Sequence, residues 1–223
     1  VSALRPILFS APMVNAILDG RKAVTRRLVA GERQPEPLHA WQDCDCREID
    51  PSDTPCVVCL ARFERCPAFP GDRLWVREAF RLRDFDADGG TVTAEVVYRA
   101  GGDPGRIIGG EALLREYVGW RPSIYMPRWA SRLLLEVEDV RAERLRDITE
   151  DDARCEGVDP DALHIGPDFY AGFGGPYRAG FAVLWDRING KRAVWSEDPW
   201  VWRIQFRVVG RGVGCAVVSG GEP

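Results

Sequence analysis

Lysine is rare in this chain. Of its 30 basic residues only Lys22 and Lys191 are lysines, and Lys22 stands among arginines in Gly20-Arg21-Lys22-Ala23-Val24-Thr25-Arg26-Arg27. An arginine keeps its proton in any protein environment, whereas burial and neighbouring cations can push a lysine amine toward neutrality, so Lys22 is suited to base chemistry. Thr25, three residues on, offers a hydroxyl that such a base could activate. The plainer alternative makes Lys22 the exposed end of a helix and Arg21, Arg26 and Arg27 a solvated face.

A second group is Cys44-Asp45-Cys46 followed by Cys56-Val57-Val58-Cys59. A C-x-C paired with a C-x-x-C supplies four thiolates for a tetrahedral zinc. The surrounding 30–70 stretch has no sustained apolar period and would gain order from such a metal. Four protein ligands close a zinc site, so the expected zinc is structural, with none required for catalysis. Cys66 and His39 are reserve ligands; unligated thiols and a redox pair are the alternatives. The third candidate is Glu156, in the last turn before Gly157, where the negative end of the helix dipole suits a carboxylate that carries a proton.

These residues need elements to position them. Pro6–Phe9 reads as a strand, and 12–19 as a helix started by Pro12 and stopped by Gly20. Alternation over Lys22–Leu28 places Val24, Arg26 and Leu28 on one face and Thr25 with Arg27 on the other. Pairing Lys22 with Thr25 therefore requires the preceding turn to extend through Lys22, or a bulge. Pro70-Gly71-Asp72 is a turn before an alternating strand from Arg73 to Phe80, Asp86–Gly90 is a second turn, and Thr91–Arg99 is another strand. Gly101–Gly110 reads as a glycine-rich loop. The 120–129 stretch interleaves Trp120, Tyr125 and Trp129 with Arg121 and Arg128, as a stacking floor for a base or as a packed loop. A long strand follows from Ser131 toward Leu145. Thr149 caps the next helix, with Asp152 in the capping-box position. Gly157–Gly180 reads as a long Gly/Pro-rich loop, Phe181–Ile188 as a short helix, Pro199–Val209 as a closing strand, and 211–223 as a flexible tail.

The formal charge of −4 argues against coating duplex nucleic acid by charge alone. No apolar run approaches a membrane span, no secretory signal opens the chain, and the seven cysteines do not form a secreted disulfide framework, so a cytoplasmic protein is expected. Position 1 is valine, which reads as a processed or trimmed start. The element order implies an α+β fold in one domain over 1–210, a partly open β-barrel with flanking helices and a Cys-rich insertion.

The Gly20-Arg21-Lys22-Ala23-Val24-Thr25-Arg26 stretch resembles the G-x-K-x-x-T-x-R signature of the ASCH domain family, whose fold is similar to the PUA barrel of RNA-binding proteins. Pro70-Gly71-Asp72-Arg73-Leu74-Trp75-Val76-Arg77-Glu78 and Ile148–Gly157 are similar to further family segments, and 120–131, 184–192 and 199–202 resemble larger members found in phages and prophages. The resemblance implies an amidohydrolase removing the acetyl group of N4-acetylcytidine, with Lys22, Thr25 and Glu156 in the catalytic roles. Arg21, Arg26, Arg27, Trp75, Glu78, Arg128 and Trp129 are then candidates for binding a modified nucleoside or single-stranded nucleic acid. The rival expectations are a non-catalytic reader of RNA or modified DNA, and a ribonuclease.

Overall fold

The computed structural model describes residues 2–29, 66–88, 91–161, 170–211 and 216–218, with the backbone alone at 112, 113 and 216–218. Cys44, Cys46, Cys56 and Cys59 lie outside these residues, as do 162–169 of the Gly/Pro-rich loop. The chain divides into two compact units: 1–19, 71–136 and 207–223 in the first, and 20–70 with 137–206 in the second.

In the first unit β1 (Leu4–Leu8) pairs parallel with β3 (Arg73–Arg77). The strand β7 (Leu133–Arg144) pairs antiparallel with β3, and the order continues to β8 (Trp200–Arg211). Asp72, in the turn before β3, accepts hydrogen bonds from Ala3 N (2.7 Å) and Arg5 Nε (3.0 Å) and so ties the two parallel strands together. The helix α1 (Ala11–Leu18) buries Val14, Ala16 and Ile17, while Met13 and Leu18, apolar at the same helical spacing, are half-buried.

A second sheet of this unit has the order β4 (Phe80–Asp88), β5 (Thr91–Tyr98), β6 (Gly105–Gly109) and β9 (Ala216–Val218). Its core gathers Phe80, Leu82, Val96, Ile107 and Met126. Two readings of the sequence change here. The expected loop at Gly101–Gly110 contains β6, in which Gly105 and Gly109 are buried where β5 passes close by, a placement that hides strand alternation. Of the expected turn at Asp86–Gly90, Asp86–Asp88 instead belong to β4, a nine-residue strand whose register with β5 shifts between Arg83 and Asp86, where Asp84 has φ of +53°. That irregularity interrupts the period-2 pattern. Within 211–223, β9 pairs parallel with β6, and a short helix α2 (Glu111–Arg115) follows β6.

In the second unit the order is β7, β8, β2 (Val24–Leu28), with β2 antiparallel to β8. The helices α3 (Glu150–Cys155) and α4 (Pro176–Asn189) pack around Leu145, Ile148, Ala153, Phe181, Trp185 and Val201. Thr149 Oγ1 accepts from Asp152 N at 3.0 Å, as its capping position predicts. The helix α4 begins at Pro176 instead of the expected Phe181 because Glu150 caps it: the carboxylate accepts from Tyr177 N and Arg178 N, each at 2.8 Å. A side chain at Gly175 would collide with that carboxylate. A cap donated by another helix leaves no local signal in the sequence.

Few helices with open mixed and antiparallel sheets make the fold α+β, as expected, and among the described residues no sheet closes on itself. Among them too, no helix is long and apolar enough to cross a membrane.

Candidate functional site

Gly20, at φ of +74°, makes the left-handed turn that leads into Lys22. Lys22 is not part of β2. It forms a single antiparallel bridge with Glu156, Ala23 N donates to Cys155 O (2.9 Å), and Phe206 N donates to Ala23 O (2.9 Å). Residues 22 and 23 are thus held between the end of α3 and β8. The ladder of β2 starts only at Val24, so Lys22 stands outside the strand that carries Thr25.

The Lys22 side chain is fully enclosed. Its Nζ donates to Glu156 Oε2 (2.7 Å), to Glu156 O (2.9 Å) and to Val24 O (2.8 Å). Three N–H donors thereby meet three oxygens, none of them from Thr25. Thr25 is also buried, facing Ile204 in the β2–β8 register. Burial is the main influence on the Lys22 ammonium and holds it below its ordinary value; Glu156 opposes this, and the charges of Arg27 and Arg26 reinforce it.

Arg26 organises the acids around that pair. It lies opposite Arg203 across the β2–β8 ladder, a like-charge placement that is unfavourable by itself. Asp152 bridges the two, with Arg26 Nη2 at 2.8 Å from Oδ2 and Arg203 Nη2 at 3.0 Å from Oδ1. Arg26 also donates through Nε to Glu143 Oε1 (2.7 Å) and through Nη1 to Glu156 Oε1 (3.2 Å). Asp152 and Glu156 stand four residues apart on one face of the α3 turn, which lets them straddle a single guanidinium. The result is a continuous row of alternating charge, Lys22, Glu156, Arg26, Asp152, Arg203, in which each buried charge meets an opposite one. Burial pushes the Arg26 guanidinium down, but Glu156, Glu143 and Asp152 outweigh it and raise its affinity for the proton. Arg27, on the other face of β2, is lowered by burial against the pull of Glu156.

The remaining candidates are placed differently. Arg21 is exposed. In the first unit Glu78 is buried and takes a bidentate pair from Arg132, Nε to Oε1 at 2.8 Å and Nη2 to Oε2 at 2.9 Å. Burial raises the Glu78 carboxyl above its usual range, against the stabilising Arg132. Trp129 packs edge-on against Phe80 and Tyr117, at 6.5 and 5.5 Å between ring centroids, as part of the core. Trp75 and Arg128 line a cavity of the same unit. Among the described residues no group of His, Cys, Asp or Glu is placed to hold a metal.

Glu143, Asp152 and Arg203 are not among the sequence-derived site residues. Asp152 is visible there only as a capping-box member, yet its carboxylate turns to two arginines instead of back to Thr149. The four-residue spacing of Asp152 and Glu156 is the one sequence signal that could have joined it to the site.

Among solved structures, the ASCH domain from Lactobacillus crispatus JV V101 is 14% identical, with a TM-score of 0.34 over 94% of this chain and 81% of that one. This chain is similar to ASCH domains. A DUF984 protein from Enterococcus faecalis V583 is 10% identical, with a TM-score of 0.40 over 94% of this chain and 77% of its own. No protein-family model matches the chain, and no curated protein sequence matches it. The stretch that resembles the ASCH signature is the one that places Lys22 against Glu156.

Proposed function

We propose that this protein is an amidohydrolase that removes an acyl group from the exocyclic amine of a modified cytosine, of the N4-acetylcytidine kind. The observation that supports this reading is the enclosed Lys22 Nζ, 2.7 Å from the Glu156 carboxylate, within a stretch resembling the ASCH signature. A lysine disfavoured as an ammonium by burial is suited to exchanging a proton. The neutral amine keeps two N–H groups, so one of its three present acceptors is released and a lone pair is freed. That lone pair takes the Thr25 hydroxyl proton as Oγ attacks the acyl carbonyl, while Glu156 balances the ammonium that forms. The ammonium then gives its proton to the exocyclic nitrogen as the carbon–nitrogen bond breaks. Water hydrolyses the resulting threonine ester, releasing the carboxylate and restoring Thr25. Arg26 is committed to three carboxylates, which leaves the oxyanion to backbone amides. Lys22 and Thr25 are closed to solvent, so the substrate must displace part of their cover.

One observation favours a second reading, a non-catalytic reader of RNA or modified DNA. The Lys22 ammonium has an acceptor for each hydrogen, and a fully satisfied charged network also serves to rigidify a binding scaffold.

Incubation with N4-acetylcytidine, with chromatographic detection of cytidine, separates the two readings. Release by the wild type that is lost in Lys22→Ala and Lys22→Arg supports the hydrolase, because arginine keeps the charge but not the exchangeable proton. Thermal melts establish that both variants fold. A folded wild type that releases nothing from the nucleoside or from acetylated RNA would transfer the reading to the binder.

We also propose that Cys44, Cys46, Cys56 and Cys59 hold a structural zinc as thiolates. Metal analysis of protein purified without chelator should find about one zinc per chain, lost in the double variant Cys56→Ser, Cys59→Ser.

A further inference from the structure

The first unit contains a cavity of about 510 Å³, within the range of small-molecule sites. It spans four neighbouring strands, with Leu4 on β1, Arg73 and Trp75 on β3, Leu134 on β7 and Gly210 on β8 among its lining. The approach of β8 to β7 is close here: a Cβ at Gly210 would stand 3.3 Å from Leu134 Cβ. The wall carries Arg73, Arg128, Arg132 and Arg211, and among the described residues no aspartate or glutamate lines it.

Arg132 is neutralised by Glu78, but the side chains of Arg73, Arg128 and Arg211 make no ion pair or hydrogen bond with any described residue. Other arginines of this acidic chain do meet carboxylates, as in Arg5–Asp72, Arg83–Glu95 and Arg207–Glu136, whereas here three without one line the same cavity. Three such guanidiniums on one concavity hold a field that an oxyanion with several acceptors relieves, and their forked donors match phosphate. The lining they share also includes an aromatic ring, that of Trp75. Trp75 is half-buried, with the Arg77 guanidinium 5.0 Å from its ring centroid, and Leu4 and Leu134 flank it.

We infer that this cavity binds a nucleotide, its phosphate on Arg73, Arg128 and Arg211 and its base against Trp75. The inference does not rest on the amidohydrolase reading. Its test uses ligands with no acyl group, so loss of turnover and loss of binding are separate results.

Calorimetry with cytidine 5′-monophosphate, cytidine and inorganic phosphate is the experiment. The nucleotide should bind more tightly than either part, and more weakly as salt is raised. Arg73→Ala and Arg128→Ala should each weaken it by roughly tenfold, the loss of one charge-assisted contact. Trp75→Leu should weaken the nucleotide and leave phosphate unchanged, while Arg83→Ala, outside the cavity, should alter neither. A short oligocytidylate that binds more tightly than the mononucleotide would identify the ligand as a unit of a strand; equal affinity would identify a free nucleotide, and either result agrees with the inference. Failure of the nucleotide to bind would overturn it. So would equal affinity for nucleotide and phosphate with no effect of Trp75→Leu, the behaviour of a bare anion site.

Discussion

Arg26 in the second unit is enclosed by Glu143, Asp152 and Glu156, whereas Arg128 in the first stands exposed beside Arg73 and Arg211, with no acid on the cavity wall among the described residues. The same side chain does opposite work in the two places. Around Arg26 the helix α3 supplies carboxylates at two positions of one face, so a charge that would be costly to bury becomes the centre of a balanced network. Around Arg128 no described element supplies a counterion, which is the basis for assigning its charge to a ligand. A count of arginines therefore says little about binding; what matters is whether the fold delivers acids to them.

The largest expected effect breaks the buried side of this contrast. Arg26→Met leaves three carboxylates without their shared cation and should lower the unfolding free energy by about 3–5 kcal/mol. Urea denaturation at neutral pH measures this, and a loss under about 1 kcal/mol would show that the network does not support the fold.

Next is the chemistry assigned to Lys22. Its replacement by alanine should reduce turnover about 100-fold or more. The neutral amine is the working form, so kcat/KM should rise with pH through the Lys22 value, which burial places below the ordinary 10.5. Glu156→Gln removes the charge that opposes this lowering and should move the rise to still lower pH. A rise that stays in place would disconnect the titration from this pair.

Asp152 gives a smaller, acid-side effect. Burial pushes its carboxyl up, but the hydrogen bond from Arg203 and the charge of Arg26 outweigh burial and hold it below its ordinary 3.8. The native state then binds fewer protons than the unfolded chain between the two values. Its stabilisation is complete above 3.8 and is lost as pH falls through the folded value. Asp152→Asn should flatten this part of the stability profile between about pH 5 and pH 2, measured by urea midpoints.

The smallest effect sharpens the other side. Arg128→Ala and Arg73→Ala remove exposed cations without described partners, and thermal unfolding should place both within about 0.5 kcal/mol of the wild type. A larger loss in either would mean that the cavity arginines carry structural weight after all.

Much of the fold is legible in the sequence because its signals are local. The alternation of Val92, Ala94, Val96 and Tyr98 marks β5, Thr149 marks the start of α3, and Gly157, at φ of +79°, marks its end. The strand β6 was hidden by glycines, and the first turns of α4 by a cap that comes from Glu150 of another helix. In the site, Lys22 stood out by residue type, but Glu143 and Arg203 did not, since an acid or an arginine on an alternating strand has the same pattern whether it faces water or a buried partner.

What the sequence determined by itself is the inventory and the local geometry: one lysine among arginines beside a glycine turn, a capped helix carrying Asp152 and Glu156 on one face, and alternating strands in an α+β order. Only the tertiary structure decided that Lys22 meets Glu156 across 134 residues, that Asp152 bridges two arginines, and that Arg73, Arg128 and Arg211 share a cavity with no acid among its described lining. The physical reason is range. Caps, turns and side-chain alternation depend on neighbours a few residues away, whereas the pairing of buried charges depends on which distant strands and helices pack together.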